Sequence, residues 1–301
     1  MLVDLHCHTT ASDGALSPGE LYARAASCKV DLLAITDHDT LDGYLSLRSE
    51  TELCSSQEPS FRPKLISGIE LSSACSTLSI DNVHIVGLNL NCDSLSFQQF
   101  LSSQQNRRYM RAEAIAKKVE ALGIEDVLSK VRRIAGVMDG QSSQSLGRPH
   151  FAKLLIEEGY SRTMQQAFTR YLGQGKRCYV GLQWPTMEEV IAAIQEAGGL
   201  AVLAHPNRYR LTRTKRNKLI TAFAEQGGAA IELISGQQTG DITADLAQIA
   251  QRLDLAVSVG SDFHSPDPLI NELGCIGVLE NTVHPELARV WDLFDFSTER
   301  K

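Results

Sequence analysis

Short apolar runs alternate with amphipathic patterns along most of this chain. The runs Leu2–His8, Val30–Thr36, Lys64–Leu71, Asn82–Leu90, Leu200–His205, Ala229–Ile234 and Leu255–Gly260 have the length and content of buried strands. Ser17-Pro18-Gly19-Glu20 carries a capping-box pattern with proline at the first helical position, so a helix starts there. Thr186–Ala197 predicts a helix ended by Gly198-Gly199, and Asp241–Leu253 predicts another. Strands alternating with helices predict an α/β class with a parallel sheet. Between Leu95 and Val180 the rhythm changes. Ser96–Leu122, Glu125–Ala135, Arg148–Glu158 and Thr163–Leu172 all read as helix, and no buried strand pattern separates them. This stretch reads as an all-helical insertion between strands of a barrel.

Composition sets limits. Hydrophobic residues make up 43% and charged residues 22% of 301 positions, ordinary values for a globular protein. No apolar run reaches the ~18 residues of a membrane span, and the opening MLVDLHCHTT lacks the basic-then-apolar plan of a signal peptide. The net charge of -7 disfavours a sequence-independent nucleic-acid coat but permits a local nucleotide or RNA-end site. The seven cysteines are scattered, with no C-x-x-C, so reduced thiols in the cytoplasm are expected.

Placement matters more than number for the eight histidines. His6 and His8 share one face of a strand by its two-residue period, and Asp13 follows in the loop. The second run ends in Asp37-His38-Asp39, the third in Glu70, and the fourth contains His84. The fifth ends in His205-Pro206, and the last in Asp262-Phe263-His264. Ligands of parallel α/β folds gather at the C-terminal ends of strands. Six imidazoles and three carboxylates exceed one ion's needs and suit two or three divalent ions, with Glu70 a natural bridge. Nitrogen and oxygen donors without thiolate favour manganese, with iron or zinc next, over magnesium or calcium. Three such ions against three carboxylates and a bridging hydroxide leave a positive site suited to phosphate. His284 lies away from any strand end and is read as structural.

The ordered segments D-L-H-C-H-T-x-A-S-D-G, A-I-T-D-H-D-T, G-I-E-L-S, H-I-V-G-L-N, A-H-P and G-S-D-F-H resemble the PHP (polymerase and histidinol phosphatase) family. The resemblance implies a distorted (β/α)7 barrel over residues 1–94 and 181–301, with residues 95–180 a helical insertion capping the active site. It also implies that His6, His8, Glu70 and Asp262 hold one ion, Glu70, His84 and His205 a second, and Asp13, His38 and His264 a third. The segments Gly147-Arg148-Pro149-His150-Phe151, Gly175-Lys176 and His205-Pro206-Asn207-Arg208-Tyr209 are similar to the branch of nucleoside-3′,5′-bisphosphate phosphatases and 5′-3′ exoribonucleases.

Arg148, His150, Lys176 and Arg208 are the candidates for holding a substrate phosphate. Arg208 follows a metal-ligand candidate by three residues, and Arg148 starts a helix, where free N–H groups favour an anion. Arg208, Arg210, Arg213, Lys215, Arg216 and Lys218 form a local basic run that could track an RNA strand. Tyr179, Trp184 and Tyr209 are candidates for base stacking. The expected activity is metal-dependent hydrolysis of the 3′-phosphate ester of 5′-phosphorylated nucleotides. Its substrates would be RNA 5′ ends, small bisphosphates such as pAp, or both. No side chain is assigned a covalent role; the expected nucleophile is a metal-activated hydroxide. The alternative is a phosphatase of a non-nucleotide metabolite such as histidinol phosphate. No obligate protein partner is evident.

Overall fold

The structure is a computed structural model that describes residues 1–53, 61–137, 146–266, 272–274 and 286–294. Eight strands are placed: β1 (Val3–Asp4), β2 (Leu32–Ala34), β3 (Lys64–Ile66), β4 (Gly68–Cys75), β5 (Ile80–Leu88), β6 (Leu200–Leu203), β7 (Ala230–Ser235) and β8 (Ala256–Gly260). β1, β2 and β3 form a parallel three-stranded sheet in that order, and β4 to β8 form a five-stranded sheet in chain order.

The α/β class holds, and the expected distorted (β/α)7 barrel with a parallel sheet is corrected on two points. First, β5 runs antiparallel to both β4 and β6. Only the short turn Ser76–Leu78 and Ser79 join β4 to β5, too little chain for the crossover that parallel strands require. Second, the barrel is not closed. β1 to β3 are two or three residues long, and single contacts replace a ladder between the sheets. The Leu5 N–H donates to the Val259 carbonyl at 3.0 Å, and isolated bridges join Cys7 with Phe263 and His38 with Glu70.

Helices connect the parallel strands. α1 (Pro18–Ser27) starts at Ser17, whose hydroxyl accepts from the Glu20 N–H while the Glu20 carboxylate accepts from the Ser17 N–H. α2 is Asp42–Leu53. The helical stretch contains α3 (Leu95–Glu120), α4 (Val127–Ile134), α5 (Arg148–Glu157) and α6 (Met164–Ala167), the last continued by a π turn over Phe168–Leu172. α7 (Met187–Glu196) has a capping box at Thr186 and Glu189, and α8 (Arg213–Glu225) and α9 (Gly240–Arg252) complete the set.

Two cores matter for the site. The main core gathers the strands with Met187, Ile191, Leu219, Phe223 and Leu246 from α7, α8 and α9. A separate core joins Ile115 and Val119 of α3 to Val127, Val131, Phe151, Leu155 and Leu172. α3 belongs to both: Phe97 and Leu101 in its first half pack into the main core. At 1.5 Å per residue this helix is a rod of ~40 Å, one end in each core. Each buried Leu, Ile or Phe at this junction is worth ~1.5–3 kcal/mol of transfer free energy. The rod thereby holds the helical stretch at a set position over the strands.

Candidate metal centre and its surroundings

Strand geometry delivers the nine candidate ligands to one place. The Asp262 N–H donates to the His6 carbonyl at 2.8 Å and the His8 N–H to the Phe263 carbonyl at 2.9 Å. The segment after β1 and the segment after β8 therefore run side by side. His38 lies beyond β2 and bridges to Glu70 in β4. His84 reaches the site from the opposite direction. Because β5 is antiparallel, an early residue of that strand lies at the same end as the late residues of β6: Ile85 pairs with Leu203, and the Ala204 N–H donates to the His84 carbonyl at 3.1 Å. His205 and Asp262 have φ values of 30° and 52°. Such left-handed backbone costs ~1–3 kcal/mol in a non-glycine residue and tends to cluster at functional sites.

Glu70 is fully buried at the centre. Its Oε1 lies 2.9 Å from His84 Nδ1, 3.0 Å from His205 Nε2 and 3.4 Å from His6 Nε2. Its Oε2 lies 2.8 Å from His38 Nδ1 and 3.4 Å from His8 Nε2. Asp262 Oδ1 lies 3.3 Å from His8 Nε2, 3.6 Å from His6 Nε2 and 3.5 Å from His264 Nδ1. Asp13 is 3.4 Å from His264 Nε2 and 3.8 Å from His38 Nε2.

These donors fit divalent ions. Two atoms each ~2.1 Å from a common ion lie ~3.0–3.4 Å apart, the spacing found around Glu70. The donors cluster as His8–Asp13–His38–His264, His6–His8–Glu70 and His38–Glu70–His84. Six buried donor atoms make no hydrogen bond among the described residues: His6 Nε2, both ring nitrogens of His8, His38 Nδ1, His205 Nδ1 and Glu70 Oε2. Buried polar atoms rarely lack partners, and coordinated cations would satisfy these.

Burial disfavours charge at every one of these groups, and neighbours decide the outcome. Against that burial, His84, His38 and His6 hold the Glu70 carboxyl well below the usual carboxylate range. His38 and His264 do the same for Asp13, and His264 and His6 for Asp262. Asp13 and Asp262 overcome burial to raise His264 to about 10, and Glu70, Glu232 and Asp262 raise His6 well above its ordinary value. His8 goes the other way: burial, reinforced by His264 and His38, lowers it to about 3. Its imidazole is neutral at pH 7, the form that binds a metal.

Supporting groups absent from the sequence reading surround the ligands. Glu232 in β7 is buried, with Oε1 3.1 Å from His6 Nδ1 and Oε2 accepting the His205 N–H at 2.5 Å. Its only sequence signal is an acid inside the apolar run Ala230–Ser235. Asp37 accepts from the Thr9 N–H, the Thr9 hydroxyl and the Ser12 hydroxyl, tying down the loop that carries Asp13. The Tyr209 hydroxyl accepts from the His84 N–H at 2.9 Å and lies 3.0 Å from the Ala204 carbonyl, to which it donates.

One cleft of about 110 Å³ joins the cluster to the helical stretch. Asp13, His38, His84 and Asn82 line it together with Arg108, Arg111, Arg148 and Phe168. Of the four phosphate candidates, Arg148 alone lines it. Arg208 pairs with Asp262 and lines a smaller pocket with His205, Asn207 and Gln238. His150 is buried and its Nδ1 accepts the Gly147 N–H at 3.1 Å, so it caps α5 and holds the Arg148 backbone. Lys176 is exposed in the turn after the π segment and lines neither space. Arg108 and Arg111 were not singled out from the sequence, where they are two of several polar residues along α3.

The stacking candidates divide. Trp184 is buried, with the Arg108 and Arg111 guanidiniums 5.9 and 5.8 Å from its ring centroid. Tyr209 is occupied beneath His84 and His205, and Tyr179 is half-buried. In the basic run, Arg213 and Arg216 pair with Asp245 of α9. His284 lies outside the described residues, as do Cys54 and Cys275. No helix among the described residues is long and apolar enough to cross a membrane.

Comparison with known proteins agrees with this geometry. The PHP domain pattern matches residues 4–199. The chain is 39% identical to the 5′-3′ exoribonuclease Rnm of Escherichia coli over 91% of this chain and 88% of that protein. It is 36% identical to the 3′,5′-nucleoside bisphosphate phosphatase of Chromobacterium violaceum, covering 88% of this chain and 87% of the other. A solved amidohydrolase structure from C. violaceum, with bound sulfate and no metal, superposes with a TM-score of 0.82 at 33% identity, over 97% of this chain and 95% of that one.

Proposed function

Because this chain belongs to the PHP domain family, we propose that it is a metal-dependent phosphoesterase acting on 5′-phosphorylated nucleotides. The bond cleaved is the phosphate ester at the 3′-oxygen, in RNA from its 5′ end, in small 3′,5′-bisphosphates such as pAp, or in both. The names of the two relatives support this reading. The observation that carries it is the convergence of nine imidazoles and carboxylates around Glu70, Asp262 and Asp13, three of which, Asp13, His38 and His84, line a cleft together with Arg108, Arg111 and Arg148.

We assign His6, His8, Asp13, His38, Glu70, His84, His205, Asp262 and His264 to two or three divalent ions, manganese first, with iron or zinc as alternatives. Bound ions would neutralise phosphoryl oxygens and make a water nucleophilic near neutral pH. The chain's own residues do the rest. Glu232 and Asp37 fix the orientation of His6 and of the Asp13 loop. Arg148 in the cleft and Arg208 beside Asp262 contact substrate phosphate; His150 acts through the Gly147–Arg148 backbone, and Lys176 is not counted among the contacts. The eight strands are read as an opened, distorted barrel, and residues 95–180 as a helical insertion capping the active site. The proposed place of work is the cytoplasm, where nucleotides and RNA ends are available.

Side-by-side turnover of a 5′-phosphorylated oligoribonucleotide, pAp and histidinol phosphate with added manganese tests this. Faster turnover of the first two is expected. Preference for histidinol phosphate would overturn the nucleotide assignment, and full activity in excess chelator would overturn the metal assignment.

A further inference from the structure

The buried stripe of α3 is apolar at both ends, with Phe97 and Leu101 in the main core and Ala112, Ile115 and Val119 in the second. Between them it is polar, at Gln104 and Arg108. Four residues apart, these two share one face of the helix. Both are buried, and both reach one carboxylate, that of Asp39. Gln104 Nε2 donates to Asp39 Oδ1 at 3.3 Å and to the Ser72 carbonyl at 2.7 Å. Arg108 Nε donates to Asp39 Oδ2 at 2.8 Å, and its Nη2 lies 2.8 Å from the same oxygen. From β4, the Ser72 N–H donates to Oδ1 and the Ser72 hydroxyl to Oδ2, each at 2.8 Å.

Asp39 directly follows His38, and its own N–H donates to the Glu70 carbonyl at 2.8 Å. His38 Nδ1 and Glu70 Oε2 themselves lie 2.8 Å apart. Asp39 therefore holds the backbone of two candidate ligands and, through its side chain, the middle of α3. An apolar stripe tolerates sliding and rotation of a helix. A buried ion pair does not, because a shift would strand both charges in the interior without partners. We propose that Asp39 is a positioning residue that ties α3 to the metal centre, so that ion binding at His38 and Glu70 and the setting of the helical stretch beside the cleft are one coupled event. This rests on the metal assignment above. Coupling of this kind is reciprocal. The tie keeps His38 and Glu70 placed for an ion, and α3 with the helices packed on it opens less readily once those ligands are engaged. Substrate thus meets a formed cleft on a chain that already holds metal.

The test compares the unaltered chain with Asp39→Asn, Gln104→Met and Leu246→Ala, in equilibrium dialysis against manganese and in hydrogen exchange with and without it. Asp39 has a φ of 52°, a left-handed conformation that asparagine also tolerates, so Asp39→Asn keeps the backbone and removes the charge facing Arg108. Leu246 is buried in the main core on α9 and makes none of the contacts of the tie, so its truncation controls for lowered stability alone. Asp39→Asn should weaken manganese binding by about 10–100-fold, the scale of partners that orient ligands. Gln104→Met, which keeps the ion pair, should weaken it less, and it carries the test if Asp39→Asn does not fold. In the unaltered chain, amides of α3 and α5 that open short of global unfolding should slow by about tenfold with free manganese at about ten times its apparent Kd. That is the ratio expected where opening releases the ion. In Asp39→Asn, at the same multiple of its own Kd, these amides should exchange at nearly the metal-free rate. Unchanged manganese affinity, or a retained exchange response, in folded Asp39→Asn would overturn the proposal. An equal loss of affinity in Leu246→Ala would reduce Asp39 to a stability role and overturn it as well. An unaltered chain that binds no manganese would sink the metal reading and the coupling together, whereas binding that Asp39→Asn leaves intact sinks the coupling alone.

Discussion

Glu232 stands directly behind His6, its Oε1 3.1 Å from His6 Nδ1, while its other oxygen accepts the His205 N–H at 2.5 Å. One buried carboxylate thus orients two candidate ligands on different strands, leaving His6 Nε2 aimed at Glu70 and Asp262. Partners of this kind typically account for 10–100-fold in metal affinity. Glu232→Gln keeps the shape and removes the charge. It should weaken manganese activation by about that factor, read from activity against free manganese, with far-ultraviolet circular dichroism unchanged. An unaltered activation curve would assign Glu232 to packing alone.

Metal binding should release protons. His6 and His264 are held above their ordinary values, so at pH 7.5 the metal-free site keeps protons that coordination must displace. Apparent manganese affinity should rise with pH through the neutral range, with acid appearing in weakly buffered solution on addition of manganese. Binding without proton release would contradict the assigned charges. The metal-free fold follows the same logic. The contribution of His264 is complete below its unfolded value near 6.5 and is lost as pH rises through about 10. The contributions of the depressed Asp13, Glu70 and Asp262 are present above about pH 4 and lost as pH falls through their folded values. Denaturant midpoints of chelated protein should therefore fall on both sides of neutrality.

Gly260 ends β8 against the same pair. A Cβ there would lie 2.2 Å from His6 Cβ and 2.5 Å from Glu232 Oε1. Gly260→Ala must displace one or the other, and overpacking of this kind costs ~1–3 kcal/mol. The expected outcome is a lower denaturation midpoint together with weakened manganese activation. A loss of stability with the metal response intact would show that β8 yields instead of the site.

The basic run after His205 predicts a substrate-dependent salt effect. Arg213 and Arg216 are tied to Asp245, which leaves Arg210, Lys215 and Lys218 as its remaining cations beyond Arg208. Reversing these three to glutamate should slow turnover of an oligoribonucleotide and flatten its salt dependence by about two logarithmic units per decade of salt, at ~0.7 per phosphate contact. Turnover of pAp, which has no chain to track, should not change. Equal effects on both substrates would remove the RNA track.

The clustering of the candidate ligands was legible in the sequence because strand periodicity and strand ends place side chains from local information. His6 and His8 share a face by alternation, and His38, His205 and Asp262 each follow an apolar run. The cap at Ser17 was legible for the same reason, since both halves of a capping box lie within four residues. The reversal of β5 was not inferred, although the short gap after Cys75 favours a hairpin. His84 was assigned to the site without the reason it arrives there. Arg108, Arg111 and Glu232 could not be picked out because their roles depend on packing between distant elements. Arg111 gains significance only where α3 meets Trp184 and the start of α5. Arg208 sits next to the cluster as its spacing suggested, yet its charge is taken up by Asp262, a partnership between residues 54 positions apart.

Counting manganese per chain after equilibrium dialysis, in the unaltered protein and in Glu70→Gln, with pAp turnover followed on the same samples, tests the central claim most directly. The account predicts two or three ions in the unaltered chain, fewer in the variant because the carboxylate shared by five imidazoles has lost its charge, and turnover that falls with them. Full turnover by either protein with fewer than two ions bound would contradict it.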